Sequence, residues 1–177
     1  PDIRFNIHQS DSQGVLDGLY NGTFEAGLLG THSSDPLVES VPFYRDTMVL
    51  ITPVTEYFLQ LKERGSITLE EIVRQPILLR ERGSGSKKFV DTFLEAAGIQ
   101  ESDLQITARL NDQESIKSLV AGGLGVSIIS AKAAQNFQND GKILSFALPG
   151  PQSVRCLYLA YRKDDFLREH TRRFLDF

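Results

Sequence analysis

The stretch Gly-Ser-Gly-Ser at residues 83–86 combines the residue types that bind a small anion. Its two hydroxyl groups can donate hydrogen bonds, and its glycines let backbone N–H groups approach a ligand closely. Residues 76–79 before it predict a buried strand, and residues 87–97 after it predict a helix closed by a glycine. Because a helix N-terminus favours negative charge, this turn predicts a site for a carboxylate, sulfate or phosphate.

Ser84, Gly85 and Ser86 are therefore the main predicted ligand contacts. Arg80, shortly before them, adds a guanidinium whose planar fork suits oxyanions. The serines could also act as helix caps, but a cap occupies only some of the first N–H groups of a helix, so capping and ligand binding are compatible. No carboxylate lies within residues 83–88 to oppose a negative ligand.

Composition sets the broad class of the protein. The 177 residues, of which 41% are hydrophobic, suffice for one compact domain or two small lobes. A net charge of −4 predicts that this chain does not bind nucleic acid by itself. The absence of any apolar run of about 18 residues predicts a soluble, cytoplasmic protein with no membrane contact. Since the sequence does not begin with Met, we expect a piece of a longer chain.

Strand and helix patterns alternate along the chain. Strands are predicted at residues 4–8, 25–30, 47–51, 76–79, 106–110, 126–129, 142–146 and 154–161. Helices are predicted at residues 15–20, 56–63, 69–74, 87–97, 112–121, 131–137 and 164–177. Repeated strand–helix–strand units predict an α/β fold with mainly parallel sheets and flanking helices.

Two segments are predicted to cross between lobes, one at residues 51–54 and one at residues 153–156. The second follows a loop rich in proline and glycine, and both adjoin predicted strands. Two crossings divide the chain into a first lobe, residues 1–53 plus 154–177, and a second lobe, residues 54–153. We expect the crossing segments to act as hinges.

Enzyme motifs are incomplete in this sequence. The glycine turn at residues 83–87 lacks the four residues that a phosphate loop places before Gly-Lys, and no Gly-x-Gly completes a dinucleotide pattern. There is no Gly-x-Ser-x-Gly elbow, and the three histidines share no metal-binding spacing. The sequence therefore predicts no catalysis, no cofactor and no metal.

Four segments in order resemble the effector-binding domain of LysR-type transcriptional regulators, and the resemblance covers essentially the whole chain. They are residues 1–3, 16–30, 41–51 and 120–129. Residues 83–88 resemble the "GSG(S/T)R" variant of some of these regulators. Two positions depart from the family pattern: Glu25 stands where Asp is usual, and Ser130 replaces the usual Pro.

This resemblance implies a two-lobed fold similar to periplasmic binding proteins, which holds a small anionic effector between its lobes. It also implies that the DNA-binding winged helix-turn-helix, a linker helix, and the first strand and helix of the domain precede Pro1. The full-length regulator is expected to be a homo-oligomer that contacts DNA through that missing domain. A free-standing solute-binding protein of a transport system is the alternative.

Further ligand contacts are implied by the same resemblance. Ser10 and Thr31 follow predicted strands and resemble positions where hydroxyl groups face the effector, although capping of a turn is an equal alternative. Asn111 and Asp112 resemble another ligand-side turn, but their favoured interpretation is an N-cap pair for the helix that follows.

Overall fold

A computed structural model describes residues 4–150, 153–164, 167 and 169–175. The chain divides into two compact units: unit 1 is Pro1–Tyr44 with Cys156–Phe177, and unit 2 is Arg45–Arg155. Unit 2 begins before the first predicted crossing, residues 51–54, and ends within the second, residues 153–156. The predicted lobe boundaries and hinges stay predictions. No helix in the described part of the chain is long and apolar enough to span a membrane.

Unit 1 is built on one helix and a small antiparallel sheet. Its elements are α1 (Ser12–Tyr20), β1 (Gly27–Leu29), the first part of β2 (Val38–Pro53), most of β7 (Val154–Arg162) and α7 (Glu169–Leu175). Strand β1 pairs antiparallel with β7. Its core consists of Val15, Leu19, Leu29, Val38 and Ala160. Helix α1 therefore packs its apolar face, as its periodicity predicted, against these strands.

The prediction of a strand at residues 4–8 is wrong. Residues 4–10 form no strand, and the side chain of Ile7 is 90% exposed. Alternation of polar and apolar residues stabilises a strand only where a neighbouring strand supplies backbone hydrogen bonds. Among the described residues, no strand pairs with this segment.

Unit 2 contains most of the helices and strands. They are α2 (Glu56–Arg64), α3 (Leu69–Val73), β3 (Pro76–Arg80), α4 (Gly85–Glu95), a 3₁₀ turn (Glu101–Asp103), β4 (Gln105–Leu110), α5 (Gln113–Ala121), β5 (Ser127–Ser130), α6 (Ala131–Asn139) and β6 (Ile143–Ala147). Each predicted helix and strand between residues 56 and 147 is present within a few residues of its predicted bounds. The mixed α/β class is thus confirmed.

The prediction of mainly parallel sheets is wrong. Strands are hydrogen-bonded in the order β1-β7-β2-β5, with β6 also on β2, and β3 pairs separately with β4. Val49 in β2 lies opposite Ile129 in β5 on one side and Ala147 in β6 on the other, and both pairings are antiparallel. Strands β3 and β4 pair in parallel.

The order of the strands explains why parallel sheets were predicted. Since β5 and β6 both run antiparallel to β2, they run in the same direction, as the strand–helix–strand rule predicts for a pair joined through α6. Strand β2, which arrives from a distant part of the sequence, lies between them. Periodicity along the chain reports the direction of consecutive strands but not which strand is inserted between them.

The glycine segment before β5 has a packing role. Gly125 has a φ of +149°, and a Cβ atom added there would lie 2.3 Å from the backbone oxygen of Pro76. The next residue, Val126, donates its N–H to that oxygen at 2.8 Å. Only glycine permits this approach between the start of β5 and the start of β3, so the segment holds strands together.

Strand β3 places the start of α4. It directs Ile77 and Leu79 into one apolar core and Leu78 into another, so it is anchored on both faces. Helix α4 packs against the first core through Val90, Phe93 and Leu94. With β3 and α4 both fixed by buried side chains, the short turn between them, residues 81–84, has little freedom to move.

Candidate functional site

The predicted glycine-serine turn forms the capped N-terminus of α4. Gly83 supplies the turn with a φ of +94°, and Ser84 is the N-cap, with an extended backbone. The Ser84 hydroxyl accepts a hydrogen bond from the N–H of Ser86 at 3.2 Å. Both serine residues are only 4% exposed. Helix α4 begins at Gly85, two positions before the predicted start, because Gly85 and Ser86 belong to its first turn.

Ser86 also contacts a residue that the sequence did not indicate. Nη1 of Arg155, in β7, donates to Ser86 Oγ at 3.0 Å. The Nε and Nη2 groups of the same guanidinium donate to Oδ2 of Asp46, in β2, at 3.0 and 2.8 Å. The Ser130 hydroxyl donates to the other oxygen of Asp46 at 2.7 Å. We call this chain of contacts, Ser130–Asp46–Arg155–Ser86, the arginine relay.

The arginine relay contains a buried ion pair, Asp46 with Arg155. The side chains of Asp46 and Arg155 are 4% and 12% exposed. Charges removed from water in this way are tolerated only when they are paired and hydrogen-bonded. Asp46 meets that condition, since it accepts from Arg155 and from Ser130. The departure from the family pattern at Ser130 thus supplies one of the donors that hold Asp46.

The hydroxyl protons of Ser84 and Ser86 have no acceptor in the described chain. Each oxygen accepts a hydrogen bond, Ser84 from a backbone N–H and Ser86 from Arg155. A serine hydroxyl carries one proton of its own to donate, and buried donors in folded proteins are nearly always paired. The start of α4 therefore presents two buried hydroxyl donors suited to an oxygen-rich ligand.

Arg80 is occupied by its neighbour in the sequence. Its Nε and Nη2 groups donate to the two carboxylate oxygens of Glu81, both at 2.8 Å. Burial raises the pKa of Glu81, but hydrogen bonds from Arg80 and from the backbone outweigh burial, so the pKa lies below its ordinary value. Glu81 therefore stays ionised and balances the charge of Arg80. The predicted ligand contact by Arg80 stays a prediction.

The turn before α5 is a helix cap, as its favoured interpretation predicted. Asp112 accepts from the N–H groups of Glu114 at 3.1 Å and Ser115 at 2.7 Å, and from the Ser115 hydroxyl at 2.5 Å. The hydroxyl of Ser115 and then these backbone groups lower the pKa of Asp112. Asn111 is exposed. Ligand contacts by Asn111 and Asp112 stay predictions.

The remaining predicted contacts lie in unit 1. Ser10 is exposed before α1, and its Oγ lies 2.2 Å from where a Cβ of Gly14 would be. Thr31 is half-buried and follows β1. The Ser12 hydroxyl accepts from the N–H of Gly30 at 3.0 Å, which joins the start of α1 to the end of β1. Ser10 and Thr31 thus belong to one region of unit 1, and their ligand role stays a prediction.

Sequence reasoning missed Asp46 and Arg155 because they are 109 positions apart. The sequence around each residue contains only a weak indication of its role. Asp46 is a carboxylate adjoining the apolar run 47–51, and Arg155 is a cation in an alternating strand. A charge beside or within a strand that is to be buried needs a partner of opposite charge. The sequence does not say which of its many charged residues that partner is.

An α/β fold with two units and a buried, donor-rich helix start defines a ligand-binding domain. The sequence model of the LysR substrate binding domain matches residues 1–177. The chain therefore belongs to the LysR substrate binding domain family, and the resemblance found in its motifs is confirmed.

Relatives and solved structures agree with this family. The chain is 27% identical over 177 residues to the HTH-type transcriptional regulator YeiE of Escherichia coli K12, covering 100% of the chain and 58% of YeiE. It is similar to the effector binding domain of QuiR in complex with shikimate, with a TM-score of 0.81, 19% identity, and 95% and 76% of the two chains covered.

A second solved structure of the same fold is the regulatory domain of CcmR from Synechocystis PCC6803 in complex with 2-PG. The TM-score is 0.81, the identity is 19%, and 94% of this chain and 77% of the other are covered. At this identity the two structures show the fold alone. The chain spans 58% of the length of YeiE, so the activity of a whole regulator belongs to the proposals below.

Proposed function

We propose that this chain is the non-catalytic sensor domain of a cytoplasmic LysR-type transcriptional regulator, and that its effector is a small anion bound at the start of α4. The observation that carries the proposal is the pair of buried hydroxyl groups, Ser84 and Ser86, whose oxygens accept hydrogen bonds from the chain while their protons have no acceptor in the described residues. An anion supplies acceptors, and a helix N-terminus favours its charge.

Two features support an anionic ligand rather than a neutral one. The cap of α4 is a neutral serine, so the helix start carries no negative charge of its own. Arg155, a cation whose side chain is largely buried, reaches Ser86 directly. QuiR and CcmR, which share the fold, were solved with shikimate and with 2-PG. The predicted place of the ligand between two lobes, with Ser10 and Thr31 contributing, remains part of the proposal.

Effector binding changes DNA contacts by shifting an existing equilibrium. A ligand that binds one conformation more tightly than another populates that conformation, and the shift is reciprocal between the effector and DNA. In the full-length regulator, which we propose is a homo-oligomer, the affinity for operator DNA is therefore expected to change when the effector binds. The solute-binding protein of a transport system stays the alternative, and it would show no effector-dependent DNA binding.

Isothermal titration of the full-length regulator with sulfate, inorganic phosphate and shikimate tests the proposed site. Losing one hydrogen bond to a charged ligand costs about 1.5–3 kcal/mol, so Ser86→Ala is expected to weaken binding about 10- to 150-fold. Ser115→Ala, which removes a hydroxyl from the first turn of α5, is the matched control and is expected to leave the affinity for the anion unchanged. Equal affinity of wild type and Ser86→Ala, or no binding of any of the three anions to wild type, would refute the proposed site.

A further inference from the structure

The chain passes between its two units at two places, and the arginine relay lies beside both of them. The first passage follows Tyr44 and the second follows Arg155, because unit 2 is Arg45–Arg155. Asp46 is therefore the second residue of unit 2, and Arg155 is its last. The strands that carry them, β2 and β7, are neighbours in one sheet. The ion pair thus joins the two ends of unit 2 to each other.

Side-chain and backbone contacts both hold these two strands together. The Nε and Nη2 groups of Arg155 donate to the same carboxylate oxygen of Asp46, so the guanidinium cannot rotate without breaking both hydrogen bonds. Two residues from each of them along the chain, the N–H of Met48 donates to the backbone oxygen of Ser153 at 2.7 Å. Separation of the strands beside the passages would break all three hydrogen bonds. Exchange of the Met48 amide proton therefore measures how often this region opens.

The relay also connects the ion pair to the starts of two helices. Arg155 donates to the hydroxyl of Ser86, in the first turn of α4. Asp46 accepts from the hydroxyl of Ser130, which caps α6 by accepting from the N–H of Ala133. Both helices pack against apolar cores of unit 2. Since packed cores resist deformation, these two contacts hold the ion pair against the interior of unit 2.

An anion at the start of α4 would favour the state in which the relay is formed. A hydroxyl that accepts a hydrogen bond from a cation is polarised, so it donates more strongly to a further acceptor. Ser86 meets this condition, because Arg155 donates to it. If Arg155 moved away, Ser86 would keep its hydroxyl but lose the polarisation, and it would bind the anion less tightly. A ligand that prefers one state populates that state when it binds.

We infer that the arginine relay is a conformational device that couples an anion at the start of α4 to the two passages of the chain between the units. The bound anion strengthens the contact between Ser86 and Arg155. Through Asp46, this contact holds β2 and β7 together where the chain enters and leaves unit 2. The inference rests on the proposed function, since the anion is the effector proposed above, and it adds the route by which binding within unit 2 reaches the passages.

Hydrogen exchange of the Met48 amide in the full-length regulator tests the device, first without an anion. The double variant Asp46→Asn with Arg155→Met removes the ion pair and leaves no buried charge unpaired. The reference is the Leu78 amide, which donates to the oxygen of Val126 between β3 and β5 and measures opening of the core. Relative to Leu78, we expect Met48 to exchange about 10-fold faster in the double variant than in wild type. An unchanged ratio would mean that the ion pair does not hold the strands beside the passages, and the inference would be wrong.

The second part of the experiment adds the anion. Sulfate, inorganic phosphate and shikimate are titrated into wild type and the double variant, and the anion that binds most tightly is then added at saturation. In wild type we expect it to slow exchange of Met48 about 10-fold relative to Leu78, and in the double variant less than about 2-fold. Because coupling is reciprocal, the double variant should bind the same anion more weakly by a similar factor. Arg64→Lys, at a surface pair with Glu71, is the matched control and should behave as wild type.

The outcomes separate the inference from the proposed function. If Ser86→Ala weakens anion binding but the anion slows Met48 and Leu78 by the same factor in wild type, the anion only stabilises the fold. The inference then fails while the proposed site stands. If none of the three anions binds wild type, both fail.

Thermal melting shows whether the double variant folds. If it does not, Ser130→Ala replaces it, because it removes one donor to Asp46 and leaves Arg155 and Ser86 in place. The expected changes in exchange of Met48 relative to Leu78 are then smaller, about 3-fold, since one hydrogen bond is lost rather than the ion pair. The same ratio in Ser130→Ala and wild type, with and without the anion, would overturn the inference.

Discussion

The helix starts of α4 and α5 were both candidate ligand sites in the sequence, with an N-cap favoured for α5, and their caps differ in charge. Ser84 caps α4 with a neutral, buried hydroxyl. Asp112 caps α5 with a carboxylate that accepts from two backbone N–H groups and from the Ser115 hydroxyl. An ionised cap already supplies the negative charge that a helix N-terminus favours, whereas a neutral cap leaves that place to a ligand. The neutral cap of α4 thus supports the proposal that the anion binds there rather than at α5.

The residues around the two helix starts also differ. Behind the start of α4, the arginine relay connects Ser86 to a buried ion pair. At the start of α5, Asp112 is half-buried. Arg80, a cation that lowers the pKa of Asp112 at longer range, is already paired with Glu81. A buried, neutral cap beside Arg155 supports the proposed site at the start of α4, whereas the half-buried, charged cap of α5 stabilises its own helix.

The largest effect is expected from breaking the buried pair next to α4. Arg155→Met leaves Asp46 buried without its main partner, and loss of one member of a buried ion pair costs about 3–5 kcal/mol of unfolding free energy. Urea denaturation measures the loss. Adding Asp46→Asn removes the orphaned charge and should recover most of it. A loss that Asp46→Asn does not reduce would show that packing, rather than the ion pair, holds this region.

Exchanging the two cap chemistries tests the comparison directly. Ser and Asp are about equally good N-caps, so Ser84→Asp should preserve α4. It would place a like charge against an anionic ligand, at a cost of several kcal/mol, and we expect titration to show affinity reduced more than about 100-fold. The converse change, Asp112→Ser, should leave affinity within about 2-fold. If Asp112→Ser weakens binding as strongly as Ser84→Asp, the two turns are not distinguished by their caps.

A smaller loss is expected at the far end of the relay. Ser130→Ala removes a hydrogen bond to the buried carboxylate of Asp46, and hydrogen bonds to charged groups are worth about 1.5–3 kcal/mol of stability. The midpoint of urea unfolding should fall accordingly. In a protein that already carries Asp46→Asn, the same substitution should cost less. An equal cost in both proteins would mean that Ser130 matters only as the cap of α6.

The smallest expected effect is on the pH dependence of stability, and it again distinguishes the Asp112 cap from the Ser84 cap. The Ser115 hydroxyl, followed by backbone N–H groups, holds the pKa of Asp112 below its ordinary 3.8. A lowered folded-state pKa adds stability that is present above pH 3.8 and is lost as pH falls through the lower folded value. The difference in unfolding midpoint between wild type and Asp112→Asn should therefore shrink below about pH 3.8. The same difference for Ser84→Asn should not, because a hydroxyl does not titrate there.

Local chemistry in the sequence was enough to predict both caps. The pattern before α5 predicted Asp112 as its N-cap, and the serine turn before α4 was identified from glycines, hydroxyls and a following helix. These features involve residues within a few positions of one another, where spacing determines contact. The family motifs likewise predicted the fold class, because their order along the chain is itself a sequence property.

The sequence alone did not predict which distant strands and side chains pair with one another. The insertion of β2 between β5 and β6 replaces the expected parallel pairing with two antiparallel pairings. The residues of a strand do not show which strands will lie beside it. Asp46 and Arg155 meet for the same reason: the strands that carry them come together from distant parts of the chain. Arg80 was predicted as a ligand contact because it is close in sequence to the glycine-serine turn; its guanidinium donates to Glu81, and the contact stays a prediction.

A crystal structure of the domain within its full-length regulator, with the tightest of the three titrated anions bound, tests the central proposal most directly. We predict an anion oxygen about 2.5–3.0 Å from the Oγ atoms of Ser84 and Ser86, with Arg155 still donating to Ser86. An anion bound elsewhere in the domain, with both hydroxyl groups free of it, would contradict the proposal.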